Sequence, residues 1–97
     1  MRIAIDAARA YLDHTVTRVE KGSPDAMLFA LGSKANAAET ALRVTDDAMR
    51  VCGGAAFSKG MTVERNFRDA RAASVMSPTT DLLYDFIGKA VTGLPLF

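Results

Sequence analysis

Apolar residues recur at steps of three and four along two long stretches of this chain, and no run sustains the strict alternation of a strand. Between residues 3 and 21, Ile5, Ala8, Leu12, Thr15 and Val19 fall on one helical face, which Ala4, Ala7 and Tyr11 widen. Lys21 and Gly22 supply a late cation and a glycine to stop that helix. Ser23-Pro24-Asp25 then reads as the start of a second helix: a cap, a proline at the first position and an early acid. Its main stripe is Leu28, Leu31, Ala35, Ala38, Leu42, Thr45, Met49 and Cys52, and Ala37, Ala41, Val44, Ala48 and Val51 form another beside it. A helix apolar over so much of its girth needs neighbours on more than one side. From Pro24 to Cys52 it extends about 43 Å at 1.5 Å per residue. The three-four spacing favours the shallow crossing angles of a bundle.

Gly53-Gly54 ends the second helix. The first glycine suits a left-handed C-terminal backbone, and the second lets another backbone or a flat ligand come close; from the dipeptide alone a plain helix stop is the expectation. Ala55–Met61 reads as a loop with Gly60 as a turn residue, and Thr62 as the cap of a short helix reaching about Arg71. Glu64 and Arg68 stand four apart and should pair. Arg65, Arg68 and Arg71 either pair with Glu64, Asp69 and helix ends or hold a phosphate; pairing is the expectation. Ser77 before Pro78 reads as an N-cap followed by proline at the first position of a last helix over 78–92. Backbone N–H groups at such a start also favour an anion. Leu83, Phe86, Ile87, Ala90 and Val91 form its apolar side, Gly93 and Pro95 end it, and the tail Leu94–Phe97 is expected to pack on this chain or on a neighbour.

The expected architecture is therefore all-α: an up-and-down helical bundle of two long and two shorter helices. Ninety-seven residues make one domain, here 1–97, too small to bury much more than about 60–65% of its unfolded surface. A wide apolar face on the second helix predicts self-association, and a homo-oligomer is expected. The formal net charge of +1 gives no long-range pull on nucleic acid or on an anionic membrane, so neither is expected as a partner. No apolar run reaches membrane-spanning length. Cys52 is the lone cysteine, which excludes an internal disulfide and a cysteine-rich metal site; no metal is expected, and a cytoplasmic location suits the composition. His14, the lone histidine, reads as an exposed polar position, and Tyr11 as a bundle residue with its hydroxyl at the rim.

The segment from Ala48 to Leu83 resembles the C-terminal helical domain of the acyl-CoA dehydrogenase family. That family's pattern is a helix ending Gln-x-x-Gly-Gly, then Pro-Val-Glu-Arg-x-x-Arg-Asp-Ala-Arg, then Tyr-Glu-Gly-Thr. Here the matching residues are Arg50-Val51-Cys52-Gly53-Gly54, then Thr62-Val63-Glu64-Arg65-Asn66-Phe67-Arg68-Asp69-Ala70-Arg71, then Met76-Ser77-Pro78-Thr79. The resemblance implies an FAD-dependent oxidoreductase that desaturates acyl-CoA thioesters between their α and β carbons, working as a homo-oligomer. It also implies that the N-terminal helical domain, the β domain and the first helix of the C-terminal domain lie outside these residues, and that this piece alone neither retains FAD nor turns over.

By the same resemblance, Arg50 stands where a flavin-contacting glutamine is common, and Gly53 and Gly54 form the turn that approaches the FAD of a neighbouring subunit. Thr79 matches the threonine that touches FAD, and Asp81 lies two further on. Ser77 occupies the position of the catalytic glutamate. A serine hydroxyl holds its proton too tightly to act as that base without an activating partner. Either the base comes from the preceding helix of the domain, or the chain belongs to a branch without the base, such as a flavin-dependent monooxygenase, or the piece is a non-catalytic self-association or partner-binding module. Pro78 in place of the family's glycine alters the same corner.

Overall fold

The computed structural model describes residues 1–96, so of the apolar tail Phe97 lies outside the described residues. The described chain is all-α, with no strand. Helix α1 spans Arg2–Glu20, α2 Ala26–Cys52, α3 Thr62–Val75 and α4 Thr80–Thr92; a 3₁₀ turn, Gly53–Phe57, follows α2 directly. The expected loop is thus helical in its first part, and α3 continues past Arg71 to Val75.

Helix α2 is the hub, and α1, α3 and α4 each pack on it. Its most deeply buried positions, Ala35, Ala38 and Thr40, are small, which lets neighbours approach closely. Leu83 of α4 is the single large side chain that is fully buried among the described residues. The molecule measures 47 × 26 × 18 Å, with a radius of gyration of 15.8 Å. A compact domain of this length would have about 12.5 Å.

Helix α1 turns only one edge of its broad apolar stripe to α2. Ala4, Ala8, Tyr11, Thr15 and Arg18 are covered, whereas Ile5, Leu12 and Val19 of that stripe are exposed, together with Ile3 and Val16. The closest approach accounts for the offset. Tyr11 lies over Gly32, where a Cβ would come within 2.5 Å of the phenol oxygen. The Thr15 hydroxyl donates to the Tyr11 carbonyl at 2.9 Å and lies 3.4 Å from the Phe29 carbonyl of α2.

At the α1–α2 connection, Arg18 donates through Nε and Nη2 to the two Asp25 carboxylate oxygens, at 3.1 and 2.5 Å. Its guanidinium also covers the Phe29 ring, 5.0 Å from the centroid, and exposed His14 meets the same ring edge-on. Asp25, not Ser23, flanks α2, and its side chain makes no cap bond because Arg18 occupies both oxygens. Pro24 stays outside the helix. At the other end of the chain Gly93 adopts φ +75° and Leu94 N–H returns to the Lys89 carbonyl, a left-handed helix stop of the expected kind. Leu94 and Leu96 remain exposed, so the described part of the tail is not buried on this chain.

Candidate functional site

Two corners carry the candidate residues. The first follows α2. Gly53 has φ +66° and ψ −153°, a backbone region essentially confined to glycine. Gly54 has no positive φ, and nothing lies within 4 Å of where its Cβ would stand. The fold therefore demands glycine at 53 and tolerates a side chain at 54; the open flank of Gly54 is a space a flat group could enter. Beside this turn, α2, the 3₁₀ turn and α3 enclose an apolar groove of about 370 Å³ lined by Met49, Phe57, Glu64, Phe67, Arg68 and Arg71. It continues past Asp46, Arg50 and Gly53.

Charge around the groove is only partly paired. Arg68 pairs with Glu64 at 3.1 Å, as the four-residue spacing predicts. The Oε2 atom of Glu64 is buried without a hydrogen-bond partner. Arg65 and Arg71 form no ion pair among the described residues, so of the expected pairings with Glu64, Asp69 and helix ends only Arg68 with Glu64 is seen as an ion pair. Asp69 has none either, because it projects from α3 to solvent. Arg50 is exposed and equally without a carboxylate.

The second corner joins α3 to α4. Thr79, not Ser77, is the N-cap: its backbone is extended and its Oγ1 accepts from Leu82 N–H at 3.3 Å. Pro78 therefore precedes the cap, where a first-turn position had been expected. The ladder of α4 begins at the Thr79 carbonyl, which accepts from Leu83 N–H at 2.9 Å. The Lys34 ammonium of α2 reaches the same corner, donating to the Met76 carbonyl at 3.0 Å and also to the Pro78 carbonyl. Ser77, between the two tethered carbonyls, is exposed. Among the described residues no hydrogen bond of the Ser77 hydroxyl to a carboxylate or to His14 is seen. Asp81 sits exposed in the first turn of α4, where a negative charge complements the helix dipole. Thr80, next to the cap, is buried with its Oγ1 unpartnered.

Lys34 was not legible as a site residue. Its one signal is that no other cation lies between Asp25 and Arg43 along α2. The structure does not bring the two corners together. From Lys34 to Gly53 the distance along α2 is about 28 Å at 1.5 Å per residue. His14 lies against Phe29 near the α1–α2 connection and belongs to neither corner. No group of three metal-ligating side chains occurs among the described residues.

The family model for the C-terminal domain of acyl-CoA dehydrogenases matches residues 1–92, almost the whole chain. This chain belongs to the acyl-CoA dehydrogenase family. It is 33% identical over 91 residues to a probable acyl-CoA dehydrogenase of Mycobacterium tuberculosis, a match covering 94% of this chain and 23% of that protein. It is 32% identical to the cyclohex-1-ene-1-carbonyl-CoA dehydrogenase of Geobacter metallireducens, covering 94% and 24%. Identity to the 3-sulfinopropanoyl-CoA desulfinase of Cupriavidus necator is 30%, covering 99% and 24%. The chain thus spans about a quarter of the length of these acyl-CoA dehydrogenase relatives. No solved structure matches it at a significant level. The hub-and-spoke helices described above are those of an acyl-CoA dehydrogenase C-terminal domain in class: all-α, with no strand among the described residues.

Proposed function

We propose that these helices form the C-terminal part of an acyl-CoA dehydrogenase-like, FAD-dependent oxidoreductase, contributing flavin contacts and an oligomer interface. The observation that carries this reading is the Gly53-Gly54 turn, where the backbone needs only the first glycine and the second stands open. FAD, when bound, supplies the hydride acceptor for oxidation of an acyl-CoA thioester. This chain's part is to hold it. Gly54 permits close backbone approach, and Arg50 beside it offers an unpaired cation to the phosphates. At the second corner the Thr79 hydroxyl keeps a proton to donate while its oxygen caps α4. Asp81 follows on the same helix start. The separation of about 28 Å along α2 suits corners that face the flavin sites of different subunits.

Ser77 is no base in this scheme. The carboxylate that would remove the α proton comes from outside these residues.

Two measurements test the reading. Native protein isolated from its own host should carry a flavin absorbance spectrum that bleaches when an acyl-CoA is added. A colourless protein that forms a stable dimer would instead mark a self-associating helical module. The 97 residues alone should not reduce an electron acceptor with any of a panel of acyl-CoAs, and turnover above a protein-free blank would overturn that expectation.

A further inference from the structure

We infer that Lys34 is the positioning residue of the α3–α4 corner: from the middle of α2, one ammonium pins the carbonyls on either side of Ser77 and so sets the direction in which Thr79 and the start of α4 face. Four observations carry this. Both bonds cross from one helix to a segment more than forty residues away, to Met76 and to Pro78. The remaining hydrogen bonds around the corner are local: Met76 N–H to the Ala72 carbonyl, Leu82 N–H to Thr79 Oγ1 and Leu83 N–H to the Thr79 carbonyl. Lys34 makes no ion pair with any carboxylate among the described residues, so nothing competes for its charge. And its base is rigid, because Ala35, next to it, is buried against the neighbouring helices.

The chemistry suits an ammonium. Met76 caps the C-terminal end of α3, where unsatisfied carbonyls and the helix dipole concentrate negative charge. Three donors on one nitrogen can serve two carbonyls that point to a common centre. Leu83, one turn into α4, supplies the apolar anchor but does not orient the peptide planes at 76–78. Orientation of those planes falls to Lys34. Its functional consequence, presentation of Thr79 to flavin, rests on the function proposed above.

The test uses the full chain and two variants. Lys34→Met keeps the stem and removes the donors; Lys34→Arg restores charge and donors. Amide hydrogen exchange at residues 79–83 should accelerate about tenfold or more in Lys34→Met, with α1 unchanged, and should return towards the parent value in Lys34→Arg. Unchanged exchange at 79–83, or acceleration spread evenly over all helices, would overturn the inference. Should the Met variant fail to fold, Lys34→Leu, which likewise carries no donor, is read by the same criteria. In the flavin-loaded native protein, Lys34→Met should also shift the visible circular dichroism of the flavin, and Lys34→Arg should restore it. The exchange arm needs no flavin. Flavin is not expected on the 97 residues alone; if the native protein isolated from its host carries none, the functional reading fails while exchange still decides the role of Lys34. If flavin is present and the corner exchanges as in the parent, Lys34 fails alone.

Discussion

Gly53 and Gly54 are adjacent and chemically identical, yet the fold treats them differently. Alanine at 53 must adopt a glycine-only backbone at a cost of about 1–3 kcal/mol. Each kcal/mol lowers the melting temperature of a domain this size by about 4–8 °C. Alanine at 54 meets open space and should change stability by less than about 0.5 kcal/mol. Thermal denaturation of Gly53→Ala and Gly54→Ala should therefore separate them, and in the flavin-loaded native protein Gly54→Ala should weaken flavin retention. Equal melting temperatures would contradict the backbone assignment. Local preference made the turn readable from sequence, since glycine after an apolar-periodic run is a helix stop. The cap on α4 was not readable in the same way. Ser77-Pro78 satisfies the local rule for a cap, but the cap falls on Thr79, and a lysine far away in sequence tethers the Met76 and Pro78 carbonyls. No local rule contains that information.

Among the elements, α1 and α2 are tied at their connection by a partly exposed ion pair. The hydrogen bonds from Arg18 hold the Asp25 carboxyl below its ordinary value of 3.8. A carboxyl depressed in the folded state contributes stability above its unfolded pKa and loses it as pH falls through the folded one. Melting temperature should thus drop more steeply below pH 3.8 in the parent than in Asp25→Asn, which should be less stable at neutral pH and flatter in acid. Parallel acid profiles for the two proteins would count against the pair. Helix positions were legible because apolar period is a strong signal, and the ends differ by one or two residues except at α3. Which face of α1 meets α2 was not legible. Ile5, Leu12 and Val19 lie beside Ala8, Tyr11 and Thr15 on one broad stripe, and the choice between neighbours is made by the fit of Tyr11 over Gly32.

The whole molecule exposes 6657 Å². A compact monomer of 10.4 kDa would expose about 5400 Å². The excess exceeds the about 800 Å² that each partner contributes to a standard interface. Much of it is apolar: Ile3, Val16 and Val19 on α1, Val51 and Phe57 at the end of α2, Val91 on α4. Sedimentation at micromolar concentration should show a species heavier than 10.4 kDa, and Val16→Glu should shift it towards the monomer. A monomer with the apolar faces intact would refute the oligomer expectation. No described helix is long and apolar enough to cross a membrane, so these faces are not a spanning segment.

One uninterrupted rod joins the lysine tether to the glycine turn, and it behaves as both ruler and dial. Lengthening it by a single residue between Lys34 and Gly53 would push one corner outward by about 1.5 Å and swing it about 100° around the rod. The two ends are thus locked in phase, and an insertion there would misdirect one of them even though every helix survived.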